Sequence, residues 1–151
     1  MLVGYAAGGT TDIVGRLVAE GMGAHLGQQV IVENRGGAGR IPAALVFLQQ
    51  PADGYTLMAH AGGVNQAAAL GTPMTFDPVA IWEPVGLAGT SALSLLVHPG
   101  VPVANLRQLQ AFAGAQGTPF RFGSPGIGLA SAYFAQELGI EAEEIRYRGT
   151  G

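Results

Sequence analysis

Gly4-Tyr5-Ala6-Ala7-Gly8-Gly9-Thr10-Thr11-Asp12 is the stretch whose residue types and spacing can do chemistry. Met1 to Val3, just before it, reads as the end of a strand. Ile13, Val14, Leu17, Val18, Met22 and Leu26 follow at three- and four-residue spacing, which predicts a helix with one apolar face. Thr10, Thr11 and Asp12 are capping residue types at the point where that helix begins. A strand, a glycine turn and a helix start together leave backbone N–H groups that suit an anion. The same residues also fit a plain strand-to-helix turn with an ordinary cap, and both readings stand at this point.

Other chemistries find less support. Ser124 has Gly126 after it but Phe122 before it, so it lacks the nucleophile-elbow pattern. Gly126-x-Gly128-x-x-Ser131 is close to a dinucleotide fingerprint but lacks its third small residue. A nucleotide-binding α/β enzyme domain using that turn is the alternative function, and a non-binding gene remnant is another. The chain has no lysine, so Gly8-Gly9-Thr10 is no Walker loop. With no cysteine and three scattered histidines, no spacing resembles a zinc site, and no metal or cofactor is expected. His25 reads as a solvated helix residue, His98 before a proline as structural, and His60 as a strand-end residue that lines a ligand cleft. Glu141, Glu143 and Glu144 read as a solvated edge.

The elements that position these residues alternate. Gly27 stops the first helix, and Val30-Ile31-Val32 predicts a second strand. A second glycine turn runs from Asn34 to Gly39, and Pro42 opens a helix carrying Ile41, Ala44, Leu45 and Leu48. Asp53-Gly54 makes a turn, and Tyr55 to Ala59 is a third strand. This β-α-β-α-β order predicts a parallel sheet, with ligands beyond the strands' carboxyl ends. The loops there are Gly4–Thr11, Asn34–Gly39 and His60–Asn65. Pro84 to Val97 reads as two strands broken near Gly89–Ser91, and the proline-marked His98–Pro102 as a linker. Asn105 with Gln108 has capping-box spacing before a helix. A strand from Phe120 to Gly123, a turn over Ser124–Gly128, a helix from Leu129 to Leu138 and a strand from Glu143 to Tyr147 repeat the first pattern.

Composition sets limits. The chain is 151 residues, 48% hydrophobic and 11% charged, with 25 glycines and a formal charge of −3. It is long enough to bury a core, and it lacks the basic clusters of a nucleic-acid binder. No signal peptide is visible before the first strand, and both ends look cut, which predicts a piece of a longer protein.

Several motifs in order now carry a resemblance. Tyr5-Ala6-Ala7-Gly8-Gly9-Thr10-Thr11-Asp12 resembles the first ligand loop of the Bug-type solute-binding proteins of tripartite tricarboxylate transporters. Glu33-Asn34-Arg35 with Gly37-Ala38-Gly39, Asp53-Gly54-Tyr55-Thr56-Leu57, Phe76-Asp77-Pro78 and Val97-His98-Pro99 match the family in its order. Ser124-Pro125-Gly126-Ile127-Gly128 resembles its second ligand loop, and Tyr147-Arg148-Gly149 the strand end that follows.

The resemblance implies an α/β, periplasmic-binding-protein-like (type II) two-lobe architecture. Residues 1–98 would form a nearly complete first lobe and 99–151 a truncated second one. It implies a periplasmic receptor, not an enzyme, that holds a small organic carboxylate between lobes and passes it to membrane transporter subunits. The ligand-binding residues so implied are Tyr5, Gly8, Gly9, Thr10, Thr11, Asp12, His60, Ser124, Gly126, Ile127 and Gly128. Asp12 either caps its helix or meets an ammonium or hydroxyl group of the ligand. Arg35 and Arg148 either pair with a distal carboxylate or with surface acids. Leu129 departs from the Ser or Thr that the family usually has after the second glycine, and a His common shortly afterwards is missing.

Overall fold

β1 (Leu2–Val3) is the central strand of a small parallel sheet in the computed structural model, which describes residues 1–37, 40–124 and 128–147. β2 (Glu33–Asn34) and β3 (Met58–Ala59) flank it, giving the order β2-β1-β3. Leu2 stands opposite both Glu33 and Met58, and Val3 opposite Asn34 and Ala59. The predicted parallel alternation is therefore present, with α1 (Thr10–Leu26) and α2 (Ile41–Leu48) as the crossovers. Val3, Ala43, Ala44 and Val64 are fully buried and form the core of this part.

The strands are shorter than the sequence implies. Val30-Ile31-Val32 and Tyr55-Thr56-Leu57 lie outside the strands, although Leu2 N–H still bonds the Leu57 carbonyl at 2.8 Å. α3 (Gly63–Ala69) takes up part of the expected third loop, which leaves only residues 60–62 between β3 and its helix. Its Gly/Ala/Asn/Gln composition has little periodic apolar signal, so the pattern on which helix prediction rests is missing.

α1 turns the expected face only partly inward, with Val14, Val18 and Met22 half-buried. Asp12, Gly15 and Ala19 are its buried residues, whereas Ile13, Leu17 and Leu26 are more than half exposed. Close packing explains the choice: a Cβ on Gly15 would stand 3.2 Å from Val3 Cγ2. Only small side chains let α1 approach so short a sheet. The boundary signals hold better. Gly27 ends α1 in the left-handed conformation, Pro42 sits in the first turn of α2, and Tyr55 N–H bonds Asp53 Oδ1 at 3.0 Å.

Val85 to Val97 forms no strand. Val85, Leu87, Leu93 and Leu96 are all more than 70% exposed, and among the described residues no segment pairs with them. β-propensity expresses packing against neighbours, so β-rich sequence without a ladder partner forms no strand.

Met1–Gly89 belongs to one compact unit, and Thr90–Ser124 with Gly128–Arg146 forms a second. The second unit contains α4 (Leu106–Gly114), β4 (Phe120–Ser124), α5 (Leu129–Leu138) and β5 (Ala142–Arg146). β4 and β5 pair in parallel from Phe120↔Ala142 to Ser124↔Arg146. Leu109, Ala113, Phe122 and Leu138 make its core. The expected capping at Asn105 is present: Asn105 Oδ1 accepts from Gln108 N–H at 3.0 Å, and Gln108 Oε1 accepts from Ala104 N–H. Among the described residues, no helix is long and apolar enough to cross a membrane.

Candidate functional site

Parallel strands put their outgoing loops on one edge of the sheet. In the first unit these are Gly4–Gly9 after β1, the segment from Arg35 to Arg40 after β2, and residues 60–62 after β3. Of the second, Ala38 and Gly39 lie outside the described residues.

Asp12 ties this edge together. It is 3% exposed, and its carboxylate accepts from Gly8 N–H at 2.8 Å, Arg16 Nε at 3.1 Å and Asn34 Nδ2 at 2.8 Å. Asn34 Nδ2 also donates to the Tyr5 carbonyl at 3.1 Å, and Arg16 Nη2 donates to Asn34 Oδ1 at 3.0 Å. The Arg16 bond, then the Gly8 N–H and Asn34, hold the Asp12 carboxyl down at about 2. Asp12 therefore stays ionised, and Arg16 compensates its charge. The capping question is answered in an unexpected way: the carboxylate turns back onto the loop, and Gly9 is the N-cap.

Gly9 brings no side-chain acceptor to the first-turn N–H groups of α1. This contrasts with α4, where Asn105 fills that role. Gly8 has φ 84°, which a glycine adopts without strain and which lets its N–H point at Asp12. That N–H is occupied within the protein, so Gly8 shapes the loop. Gly9 is buried, while Thr10 is exposed and Thr11 half-buried at the helix start.

Tyr5 is half-buried, and its hydroxyl donates to the Ala61 carbonyl at 3.2 Å. Burial raises the phenol above its ordinary value, partly offset by nearby Arg40. His60 is engaged by neighbours: its ring stacks on Trp82 at 4.5 Å, and Nε2 lies 2.8 Å from Asn65 Oδ1. Asn65 Nδ2 and Trp82 Nε1 both donate to the Pro78 carbonyl, which fastens the segment around Pro78 to α3. Arg35 pairs with Glu33 on the surface.

In the second unit, Ser124 ends β4 and is buried. Pro125, Gly126 and Ile127 lie outside the described residues, as does Arg148. Gly128 caps α5, again without a side-chain acceptor, and a Cβ there would collide with the Glu144 carboxylate. Glu144 is thus only half-exposed, unlike the solvated edge expected, whereas Glu141 and Glu143 are exposed. His25 and His98 are both exposed, and His98 Nδ1 accepts from Gly100 N–H at 3.0 Å.

A groove of about 650 Å³ runs between α1 and residues 27–32, lined by Ala19, Gly23, Ala24 and Val30 among others. Its lining runs from Arg16, which bonds Asp12, to Gly27 at the end of α1. Among the described residues, no group of acids and histidines could hold a metal ion.

The sequence pointed to the loop but missed the residues that brace it. Asn34 and Arg16 stand 22 and 4 residues from Asp12. Arg16 was legible as an i, i+4 partner of Asp12, whereas Asn34 needs the β1–β2 register to be known. One consequence is measurable. A carboxyl with a depressed folded pKa stabilises the fold above its unfolded value and loses that contribution as pH falls through the folded one. Urea midpoints are therefore expected to fall as pH drops from about 3.8 toward about 2. In Asp12→Asn the midpoint should be lower at neutral pH and flatter across that window. An unchanged slope would assign the transition to other acids.

Residues 14–151 match the family described as the tripartite tricarboxylate transporter family receptor. A protein of Agrobacterium vitis, described as a UPF0065 protein in the TAR-I ttuE-ttuC' intergenic region, is 33% identical over 100% of this chain and 45% of its own length. BugT of Bordetella pertussis is 30% identical over 100% of this chain and 48% of its own. Among solved structures, MatC of Rhodopseudomonas palustris with bound malate superposes with a TM-score of 0.85 at 28% identity, over 98% of this chain and 52% of that one. An R. palustris protein with adipate gives 0.76 at 25% identity, over 98% and 52%. The chain spans about half the length of the curated relatives it matches. A match over most of the chain, relatives spread along its whole length, and a fold shared with the malate-bound protein agree with the loop motifs: this chain belongs to the tripartite tricarboxylate transporter receptor family, the Bug-type solute-binding proteins.

Proposed function

We propose that this chain forms the first lobe, residues 1–98, and the start of the second, residues 99–151, of a periplasmic receptor for a small organic carboxylate. The receptor hands its ligand to membrane transporter subunits and catalyses nothing. The observation that carries the reading is the start of α1. A glycine is its N-cap and makes no side-chain cap bond, and its acidic residue is turned back onto the loop and matched by Arg16. A carboxylate placed there gains from the helix's partial positive charge, about 0.3–1 kcal/mol at an exposed site and up to about 2 when partly buried. Relatives solved with malate and adipate support a carboxylate as the ligand class.

Gly9, Thr10 and Thr11 supply the first-loop contacts in this reading. Gly8 and Asp12 hold that loop in shape, Tyr5 forms its wall, and His60 braces the neighbouring loop. Ser124, Gly126, Ile127 and Gly128 supply the contacts of the second lobe.

The test is a thermal-shift screen of organic acids, with malate and adipate included. A ligand that binds only the folded state at one hundred times its Kd adds about 2.7 kcal/mol, so a dose-dependent rise in Tm of several degrees is expected. A flat response to every carboxylate, with a rise for a nucleotide, would replace this reading with the enzyme alternative.

A further inference from the structure

Asn65 joins three segments of the first unit. It follows the fully buried Val64 on α3, so its backbone is fixed against the core. Its Nδ2 donates to the Pro78 carbonyl at 2.9 Å, and Trp82 Nε1 donates to the same oxygen at 2.8 Å. A carbonyl only accepts, and its two lone pairs take two donors. The Asn65 amide is therefore fixed with its nitrogen toward Pro78 and its oxygen toward His60. That oxygen stands 2.8 Å from His60 Nε2, so Nε2 carries the proton. The ring in this position stacks on Trp82 at 4.5 Å, and Trp82 stacks in turn on Phe47 at 5.7 Å. His60 opens the three-residue loop at the sheet edge. Gly62 closes that loop with φ 71°, and the Ala61 carbonyl between them takes the Tyr5 hydroxyl. The loop is thus held at His60 by Asn65 and at Ala61 by the loop after β1.

We propose that Asn65 is a positioning residue: it holds His60 as the Nε2–H tautomer and so fixes residues 60–62, the third loop of the ligand edge. The inference rests on the carboxylate-receptor reading above. A neutral imidazole carries its proton on either ring nitrogen, and the bonds it makes select the form. With Asn65 Oδ1 as the partner only the Nε2–H form bonds, because the other form sets two lone pairs against each other. A loop pinned in this way is already ordered when a ligand arrives, so binding costs it little freedom. Asn65 acts through His60 and touches no ligand. Its two bonds are separable by substitution: Asp keeps an oxygen for His60 but offers the Pro78 carbonyl no donor, whereas Ala removes both.

The experiment reads the ring directly and then the binding. In ¹⁵N-labelled protein without ligand, at about pH 9 where ordinary imidazoles are neutral, the His60 ring nitrogens should show the Nε2–H form alone. The spectrum of His60→Gln identifies which signals belong to His60, and the exposed His25 is the reference for a solvated ring. Asn65→Ala should give His60 the averaged signals of a ring that exchanges its proton between both nitrogens. By calorimetric titration it should bind malate and adipate about three- to tenfold more weakly, as expected for the loss of a hydrogen bond. Asn65→Asp should keep the Nε2–H signature and most of the affinity. An unshifted Nε2–H signature in Asn65→Ala overturns the proposal. So do averaged signals with unchanged affinity, because the loop then does not depend on the ring. Equal loss of affinity in both variants also overturns it, because that marks a purely structural residue in α3. The ring signals need no ligand, so these failures are distinct from failure of the carboxylate reading. That failure is the absence of malate and adipate binding by the unchanged chain, and it takes this inference with it.

Discussion

Gly9→Val is expected to abolish binding of malate and adipate while leaving the chain folded. Gly9 is buried at the start of α1 with φ −79° and ψ 167°, an extended conformation that valine also adopts. The backbone therefore needs no rearrangement. The fold loses a good N-cap for a poor one, about 0.5–2 kcal/mol. The ligand loses much more. A branched side chain beside the first-turn N–H groups is expected to keep an anion from them, and the N-cap itself makes no side-chain bond to them. A drop of about one hundredfold or more in affinity, equivalent to about 2.7 kcal/mol, is the expected result by titration calorimetry. Circular dichroism should show the helices intact. Unchanged affinity would remove the start of α1 from the binding site.

The second large effect concerns stability. Gly36→Val should destabilise the first unit strongly. A Cβ at Gly36 would stand 2.9 Å from Ala6 N and 3.1 Å from the Tyr5 carbonyl carbon. Both neighbours are backbone atoms, so no side-chain rotation relieves the clash. The loops after β1 and β2 would have to part, which breaks the bond from Asn34 Nδ2 to the Tyr5 carbonyl and disturbs the Asp12 cluster. Overpacking alone costs about 1–3 kcal/mol, and valine adds its two methyl groups to that. At about 2–8 °C per kcal/mol, the expected fall in Tm is large enough to read in a single melt. A Tm within a degree of the unchanged protein would mean that the two loops are not in contact in solution.

These effects show what the sequence could and could not convey. Local chemistry was legible: Gly27 as a left-handed helix stop, Asn105 as a cap, Asp53-Gly54 as a turn. Each depends on a few neighbouring residues whose conformational preferences act alone. The alternation of strands and helices also came through, because periodicity integrates over many positions. Long-range consequences did not. The inward face of α1 is set by how closely it approaches β1, so Gly15 and Ala19 are buried in place of Ile13 and Leu17. Val85 to Val97 has strand-like composition, yet composition cannot supply the partner that a ladder requires. At the site, the glycines and threonines of the first loop announced themselves. The contribution of Asn34 depends on β1–β2 register, which no local pattern conveys.

Amide mapping tests the assignment of the carboxylate to the first loop most directly. Malate titrated into ¹⁵N-labelled protein should shift the backbone amides of Gly9, Thr10 and Thr11 in a saturable way. The Gly8 amide, held by Asp12, should move less. Binding that saturates while these amides stay in place, with shifts gathered along α1 and residues 27–32 instead, would contradict it.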